Sequence, residues 1–448
     1  LALLLAAYLW ERGLSPESAI TASVTVWCVV WWVFEPVPIP VTSLLPLALL
    51  PLLGVLTPVQ VGQAYGSPLI LLLMGGFMLS TAMADSGAHR RIALYMVNLF
   101  GGGNARGLVF GFMVATGFLS MWLSNTATTM MMLPIAVSII GVIHNSVDHL
   151  DDRGKDHFQY ALLLGIAYGA TIGGMATLVG TAPNALLAAF MQESYGTEID
   201  FASWMLVGLP LSALMLPLAW LTLTRVVFKV DFRTSGEGKA TLRRLKEELG
   251  PVTTPERRVA AVFVLMAVAW VTRPMLIKLP GLSGLDDSVI AIAGAIALFV
   301  LPSGDKDDGV LLRWTYAERL PWGVLLLFGG GLTLASAVSR TGLAEWLGGT
   351  LQAVGTLPLP VIVVIAAAMI IFLTELTSNL ATTATLLPVL AALALELGVS
   401  PVTLTVPVAL AASCAFMLPV ATPPNAIVFG SGMITIPQMA KAGLVMNI

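Results

Sequence analysis

Long apolar runs set the first limit on what this chain can fold into. A run of 18 or more apolar residues reads as a membrane span, because about 20 helical residues cross the hydrocarbon core. Apolar segments fall near 1–10, 19–34, 41–56, 66–84, 92–100, 107–143, 158–192, 201–228, 259–279, 288–302, 321–347, 357–397, 402–430 and 437–448. Of the 448 residues, 57% are hydrophobic and 10% charged; a soluble domain carries about a quarter charged. The expected fold is therefore an all-α polytopic membrane protein. A net charge of -3 and the lack of a basic patch interleaved with aromatics give no reason to expect a nucleic-acid partner. Cys28 and Cys414 both sit in apolar runs without a CxxC partner, so neither a disulfide framework nor a zinc site is expected. Segment 1–10 reads as the remnant of a first span. Ala442–Ile448 sit inside an unfinished apolar stretch, so the chain reads as trimmed at both ends.

Several segments are too long for one span and too interrupted to be straight. Segments 107–143 and 357–397 each have a polar centre between short apolar arms, the pattern of a re-entrant helical hairpin. Non-helical backbone at membrane depth is tolerated only where protein or a cavity covers it. Positive charge marks the sides. Loop 225–258 holds nine Lys or Arg, and Arg90, Arg91 and Arg106 mark another basic end, whereas loop 193–200 carries Glu193, Glu198 and Asp200 and no basic residue. The positive-inside rule puts 90–106 and 225–258 in the cytoplasm and 193–200 outside. Leu242, Leu245 and Leu249 recur at helical spacing among charges. That pattern suits an amphipathic helix on the membrane surface, or equally a solvated connector.

The chain also repeats itself. Ser124-Asn125-Thr126-Ala127-Thr128-Thr129, followed by Leu133-Pro134, recurs as Ser378-Asn379-Leu380-Ala381-Thr382-Thr383, followed by Leu387-Pro388; the offset is 254, and 7 of 11 positions are identical. Upstream, Gly75-Gly76 matches Gly329-Gly330 at the same offset; downstream, Gly180-Thr181-Ala182-Pro183-Asn184-Ala185 matches Ala421-Thr422-Pro423-Pro424-Asn425-Ala426 at an offset of 241. Paired interruptions in duplicated halves point to a transporter binding site near the midplane. Counting crossings from Arg106 takes the chain outward to 193–200 and inward to 225–258. Two further spans return it to the inside near Lys306, Arg313 and Arg319. The first hairpin then enters from the cytoplasm and the second from outside, so the repeats are inverted.

The residue types suit ions and anions. Asn offers an acceptor and two donors, and Ser and Thr offer hydroxyls. A broken helix frees carbonyls that can hold Na+, and its other half presents N–H groups and a positive dipole end to a carboxylate. Pro183, Pro423 and Pro424 enforce the breaks. No Arg or Lys lies in the four motifs, so substrate charge must be met by dipoles, hydrogen bonds and co-bound cations. Singly, such residues have plainer uses. An intramembrane hydroxyl back-bonds to its own helix, a Pro kinks, and an Asn is packing glue. The pairing beside proline breaks raises Asn125 and Asn379 above those uses. The Gly75-Gly76 and Gly329-Gly330-Gly331 runs read as close helix packing, since no strand or Lys-Ser/Thr follows them as in a phosphate cradle. Glu375 lies in an apolar arm and is a candidate by default. His89, His144, His149 and His157 lie at segment ends or in loops, and no metal role is expected of them. An intramembrane hydrolase would need a mid-span His or facing Asp pair; neither is present, so an enzyme is not expected. A channel fits inverted breaks around one site less well than alternating access does.

Paired Ser-Asn-Thr tips with paired Thr-Pro-Pro-Asn breaks resemble the divalent-anion:sodium symporter family, over nearly the whole chain. The resemblance implies a homodimer in membrane lipid, a scaffold domain, and a transport domain that moves as an elevator. It implies Na+ as the co-transported ion and no organic cofactor. A first Na+ site would use Ser120, Ser124, Asn125 and Gly180, and a second Thr374, Ser378, Asn379 and Ala421. The substrate, a small divalent organic anion such as succinate, malate or fumarate, would touch Asn125, Thr126, Thr181, Asn379, Leu380, Thr422 and Pro423. Ranges follow: 1–106, scaffold helices of repeat 1; 107–200, its hairpin and broken helix; 201–258, a span and the cytoplasmic connector; 259–356, scaffold helices of repeat 2; 357–448, its hairpin, broken helix and the start of a last span. Two positions depart from the family pattern. Leu380 replaces a hydroxyl at the second tip, and Ala182 replaces a Pro at the first break. The alternatives are a Na+-independent dicarboxylate exchanger of the same fold and a citrate or sulfate carrier. Ser120 and Thr374, each four residues before a tip Ser, favour sodium coupling. The expected location is the cytoplasmic membrane of a bacterium, crossed many times.

Overall fold

The computed structural model describes residues 8–11, 13–101, 104–146, 152–232, 236–304, 309–350 and 357–448. Most of segment 1–10, together with Arg233, His149 and Lys306, lies outside them. The described residues are helical, with a single antiparallel bridge between Pro302 and Val310. Among the described residues, seven helices are long and apolar enough to cross a membrane: Pro16–Phe34, Pro58–Asp85, Asn125–His144, Phe201–Val227, Thr254–Leu276, Trp322–Arg340 and Asn379–Glu396. Local chemistry sets several starts. Thr57 with Gln60 and Thr253 with Glu256 form capping boxes, each followed by a proline in the first turn.

Eight helices carry the repeated motifs. In the first repeat they are Ala105–Ser120 (α1), Asn125–Ser146 (α2), Asp152–Gly174 (α3) and Ala182–Tyr195 (α4). In the second they are Leu359–Thr374 (α5), Asn379–Glu396 (α6), Val402–Ser413 (α7) and Pro423–Gly430 (α8). Both Ser-Asn tips interrupt a helix pair, at 121–124 and 375–378, and both proline motifs end a second interruption, at 175–181 and 414–422. The apolar segments 158–192 and 402–430 are thus each two helices.

The chain folds into two compact units. One comprises Leu1–Met74, Ala182–Asp200 and Pro321–Cys414; the other comprises Gly75–Thr181, Phe201–Leu320 and Ala415–Ile448. These units cut across the repeat-by-repeat ranges drawn from the sequence. Each holds one helix pair joined by a Ser-Asn tip, the helix after it, and the closing helix of the other repeat. In one unit α4 packs on α6 and α7; in the other α8 packs on α2 and α3. The remaining contacts correspond as well: α1 with α2 and α3, and α2 with α3, match α5 with α6 and α7, and α6 with α7. The duplication in sequence is therefore a duplication of packing.

The glycine runs serve close packing, as the sequence suggests. A Cβ on Gly75 would stand 2.7 Å from the Ala291 backbone, and one on Gly330 would stand 2.6 Å from the Ser43 carbonyl. In the first unit, Ser43 is also held by the Trp32 indole N–H at 3.1 Å and accepts the Tyr65 hydroxyl at its carbonyl.

Within the second unit the basic regions meet at one end. Arg91 pairs with Glu256 at 3.0 Å and donates to the carbonyls of Leu249, Gly250 and Pro251. Arg106 pairs with Asp231 at 3.1 Å. The connector is a helix, Gly236–Glu248, packed against Ala88–Phe100 and α2. Its Leu242 is buried, and Lys246 lies 5.9 Å from the centre of the Tyr95 ring. The helical spacing of the leucines is thus met by a helix, with Leu242 buried against protein and Leu245 and Leu249 partly exposed. Arg243 and Arg244 pair with Glu247 and Glu248 on the exposed side.

Candidate functional site

At the first tip, α1 ends on Ser120 and α2 begins on Asn125. The Ser124 hydroxyl accepts from the Ala127 N–H at 3.2 Å, and the Thr129 hydroxyl donates to the Asn125 carbonyl at 2.8 Å. These bonds fix the tip and leave the Asn125 amide aimed at the first break. One amide atom stands 2.5 Å from Ser120 Oγ and 3.2 Å from the carbonyl oxygens of both Gly180 and Ala170. With nitrogen at that position the amide donates to all three. With oxygen there, four oxygens crowd together, which is the donor set a small cation takes. Half a turn of the amide exchanges these arrangements, and the hydrogen-bond network alone selects the first. Glycine is required beside it: a Cβ on Gly174 would lie 2.6 Å from the Asn125 amide oxygen and 3.0 Å from the Gly180 carbonyl.

The carbonyls freed by this break have partners. The Thr177 hydroxyl donates to the Met121 carbonyl at 2.5 Å and accepts from the Gly180 N–H at 3.0 Å, tying the break to the tip. Trp204 donates to Met175 at 3.0 Å, and Ser212 to Ile172 at 2.7 Å.

The second tip repeats this chemistry in the other unit. The Thr374 hydroxyl donates to the Asn379 amide oxygen at 2.6 Å and to the Ala412 carbonyl at 3.1 Å. Thr383 donates to the Asn379 carbonyl at 2.7 Å. Thr374 thus matches Ser120, whereas the Ala412 carbonyl meets the Thr374 hydroxyl rather than the Asn379 amide. Ser378 caps α6 without a side-chain hydrogen bond to its first turn. Glu375 is buried at the end of α5.

The second proline motif shows what its Asn is for. Thr422 caps α8, accepting from the Asn425 N–H at 3.3 Å. The Asn425 amide donates to Leu418 at 3.0 Å and Ala415 at 3.3 Å, two carbonyls that the break releases from helical pairing.

The structure brings together Ser120, Asn125 and Gly180 in one unit, and Thr374 with Asn379 in the other. Thr181, Ala421, Thr422 and Pro423 belong to the unit of the first tip, and Ser378 and Leu380 to that of the second. Thr126 is half-buried and Leu380 is buried. Sequence reasoning missed the Ala170 and Ala412 carbonyls and the Thr177 hydroxyl. A backbone carbonyl has no residue signature, and Thr177 lies outside the repeated motifs. No titratable side chain stands among the site residues, so their chemistry is that of neutral dipoles and lone pairs.

Two helix tips and two helix breaks, lined by Ser, Thr, Asn and backbone oxygens within an apolar helical protein, define a multi-pass membrane transporter rather than an enzyme. The family follows from comparison. The model of the sodium:sulfate symporter transmembrane region matches residues 3–448, and the chain belongs to that family. A sodium-dependent dicarboxylate transporter, SdcS of Staphylococcus saprophyticus, is 44% identical over 97% of this chain and 84% of its own length. SdcS of Staphylococcus aureus strain RF122 is 43% identical over 96% and 84%. Among solved structures, the YdaH transporter of Alcanivorax borkumensis shares the fold with a TM-score of 0.57, at 17% identity over 87% of this chain and 84% of that one. MtrF of Neisseria gonorrhoeae gives 0.56, at 13% identity over 89% and 81%.

Proposed function

We propose that this chain carries C4-dicarboxylates (succinate, malate, fumarate) across the bacterial cell membrane together with Na+. The observation that carries the reading is the Asn125 amide ringed by Ser120 Oγ and the carbonyls of Gly180 and Ala170, with the Thr374–Asn379 pair as its counterpart. The names of the SdcS relatives support it independently. Na+ is held at the first tip by Ser120, Ser124, Asn125 and Gly180, and at the second by Thr374, Ser378, Asn379 and Ala421. The dianion is held by Asn125, Thr126, Thr181, Asn379, Leu380, Thr422 and Pro423. The tips are re-entrant hairpins of inverted repeats. The protein works as a homodimer whose transport domain moves as an elevator, with the basic end formed by Arg91, Arg106 and the connector in the cytoplasm.

Uptake of labelled succinate into proteoliposomes is expected to require a Na+ gradient, and to be electrogenic if more than two ions accompany each dianion. Equal uptake in K+ alone would replace this reading with Na+-independent exchange.

The two tips are expected to hold the dianion unequally. Thr126 can donate to a carboxylate; Leu380 cannot. A hydrogen bond to a charged group contributes about 1.5–3 kcal/mol, roughly tenfold to a hundredfold in affinity. Thr126→Ala should weaken succinate by that order, and Leu380→Thr should leave it unchanged or tighten it. Competition curves for succinate against citrate check both. If Leu380→Thr alters neither affinity nor preference, Leu380 does not face the substrate.

A further inference from the structure

Tyr168 stands on α3 and is fully buried. Its hydroxyl donates to the Phe416 carbonyl at 2.9 Å, and its ring meets the Phe416 ring edge-on with centroids 4.8 Å apart. Phe416 lies in the stretch 414–422 that interrupts the second broken helix. Asn425 takes the Ala415 and Leu418 carbonyls on either side; Tyr168 takes the first of the two between them. The two holders differ in origin. Asn425 belongs to the motif of the second repeat, whereas Tyr168 comes from the first repeat, and its counterpart at the 241 offset is Ala409, which has no hydroxyl. This bond therefore has no symmetry mate. Two residues further along the same helical turn is Ala170, whose carbonyl stands 3.2 Å from the Asn125 amide. One turn of α3 thus touches the first tip's oxygen cluster and the backbone of the second break.

We propose that Tyr168 is a positioning residue that couples occupancy of the first ion site to the geometry of the second helix break. The proposal rests on the Na+-coupled reading above. Coupling between sites is carried by packed side chains and hydrogen bonds that both sites bias, and it acts equally in both directions. Na+ against Asn125 and the Ala170 carbonyl sets this turn of α3. The Tyr168 hydroxyl passes that setting to the Phe416 carbonyl, five residues before Ala421, where the ion and substrate contacts of the second break begin. Without the hydroxyl, the ring still fills its space but the break is no longer tied to the first ion.

The test is Tyr168→Phe, which keeps the ring and removes the hydroxyl. In proteoliposomes, the Na+ concentration for half-maximal succinate uptake is expected to rise three- to tenfold. The maximal rate at saturating Na+ stays within twofold, and the fall of succinate KM with rising Na+ flattens. Tyr160→Phe, on the same helix with its ring against Phe228, should match the parent throughout. Binding of Na+ to the folded state raises Tm, and this rise should shrink in purified Tyr168→Phe, a measurement that remains available where uptake is weak. Parent values of Na+ half-saturation and of the Tm response in Tyr168→Phe would overturn the proposal. So would a lower maximal rate with unchanged Na+ half-saturation, which is the mark of a purely structural role. A parent protein without Na+-dependent uptake would instead overturn the transport reading.

Discussion

Asn125→Ala and Asn379→Ala should each reduce uptake to background, a loss of more than a hundredfold, in protein that still folds. At the first tip the Asn125 amide is the group that the Ser120 hydroxyl and the Gly180 and Ala170 carbonyls share. Alanine removes both its donor and its acceptor. The Ser120 hydroxyl and the Gly180 carbonyl then lose the group they share, at about 1–3 kcal/mol for a buried polar group left unsatisfied, and the tip is no longer tied to the break. At the second tip Asn379→Ala takes the partner from Thr374, whose hydroxyl is then left to the Ala412 carbonyl alone. Uptake assays paired with size-exclusion profiles separate lost transport from lost fold. Normal uptake by a monodisperse Asn379→Ala protein would remove that residue from the mechanism.

The second large effect concerns folding. A Cβ on Gly173 would drive into the Gly117 carbonyl and Cα, where α1 and α3 approach backbone to backbone. Gly165 and Gly169 continue the seam at four-residue spacing, against the Met113 side chain and backbone. Small residues at this spacing let membrane helices touch closely and pack by van der Waals contact. Gly173→Leu must push the helices apart. Overpacking costs about 1–3 kcal/mol and more where backbone has to move, so little monodisperse protein is expected from detergent extracts. Gly141 lies on α2 with nothing within 4 Å of the added Cβ. Gly141→Leu should therefore yield protein like the parent. Equal yields of the two variants would show that the α1–α3 seam tolerates separation.

Much of this architecture is legible in the sequence because duplication prints each critical feature twice. The Ser-Asn tips, the proline breaks and the Gly-Gly pairs all fall where their second copies say they should. What stays hidden is whatever has no side-chain signature. The Ala170 and Ala412 carbonyls are indistinguishable from any other alanine in an apolar run. The connector shows the same limit from another side: Leu242 and Leu245 at helical spacing predict a helix with one apolar face, but whether lipid or protein covers that face depends on neighbours distant in the chain. Tyr168 reads as one more aromatic in an apolar segment, and its hydroxyl gains meaning only once Phe416 is beside it.

Neither compact unit can be made from one repeat alone. Each takes its tipped helix pair and following helix from one repeat and its closing helix from the other, α4 in one case and α8 in the other. Two identical chains that trade an element in this way form a domain-swapped dimer. This chain is the fused counterpart of such a pair, with the exchanged helices now joined covalently. A gene fragment encoding residues 1–228 would lack α8, the partner on which α2 and α3 pack, and would present α4 without α6 and α7. Such a half would lack the packing partners that the other half supplies and would need a second half to fold against.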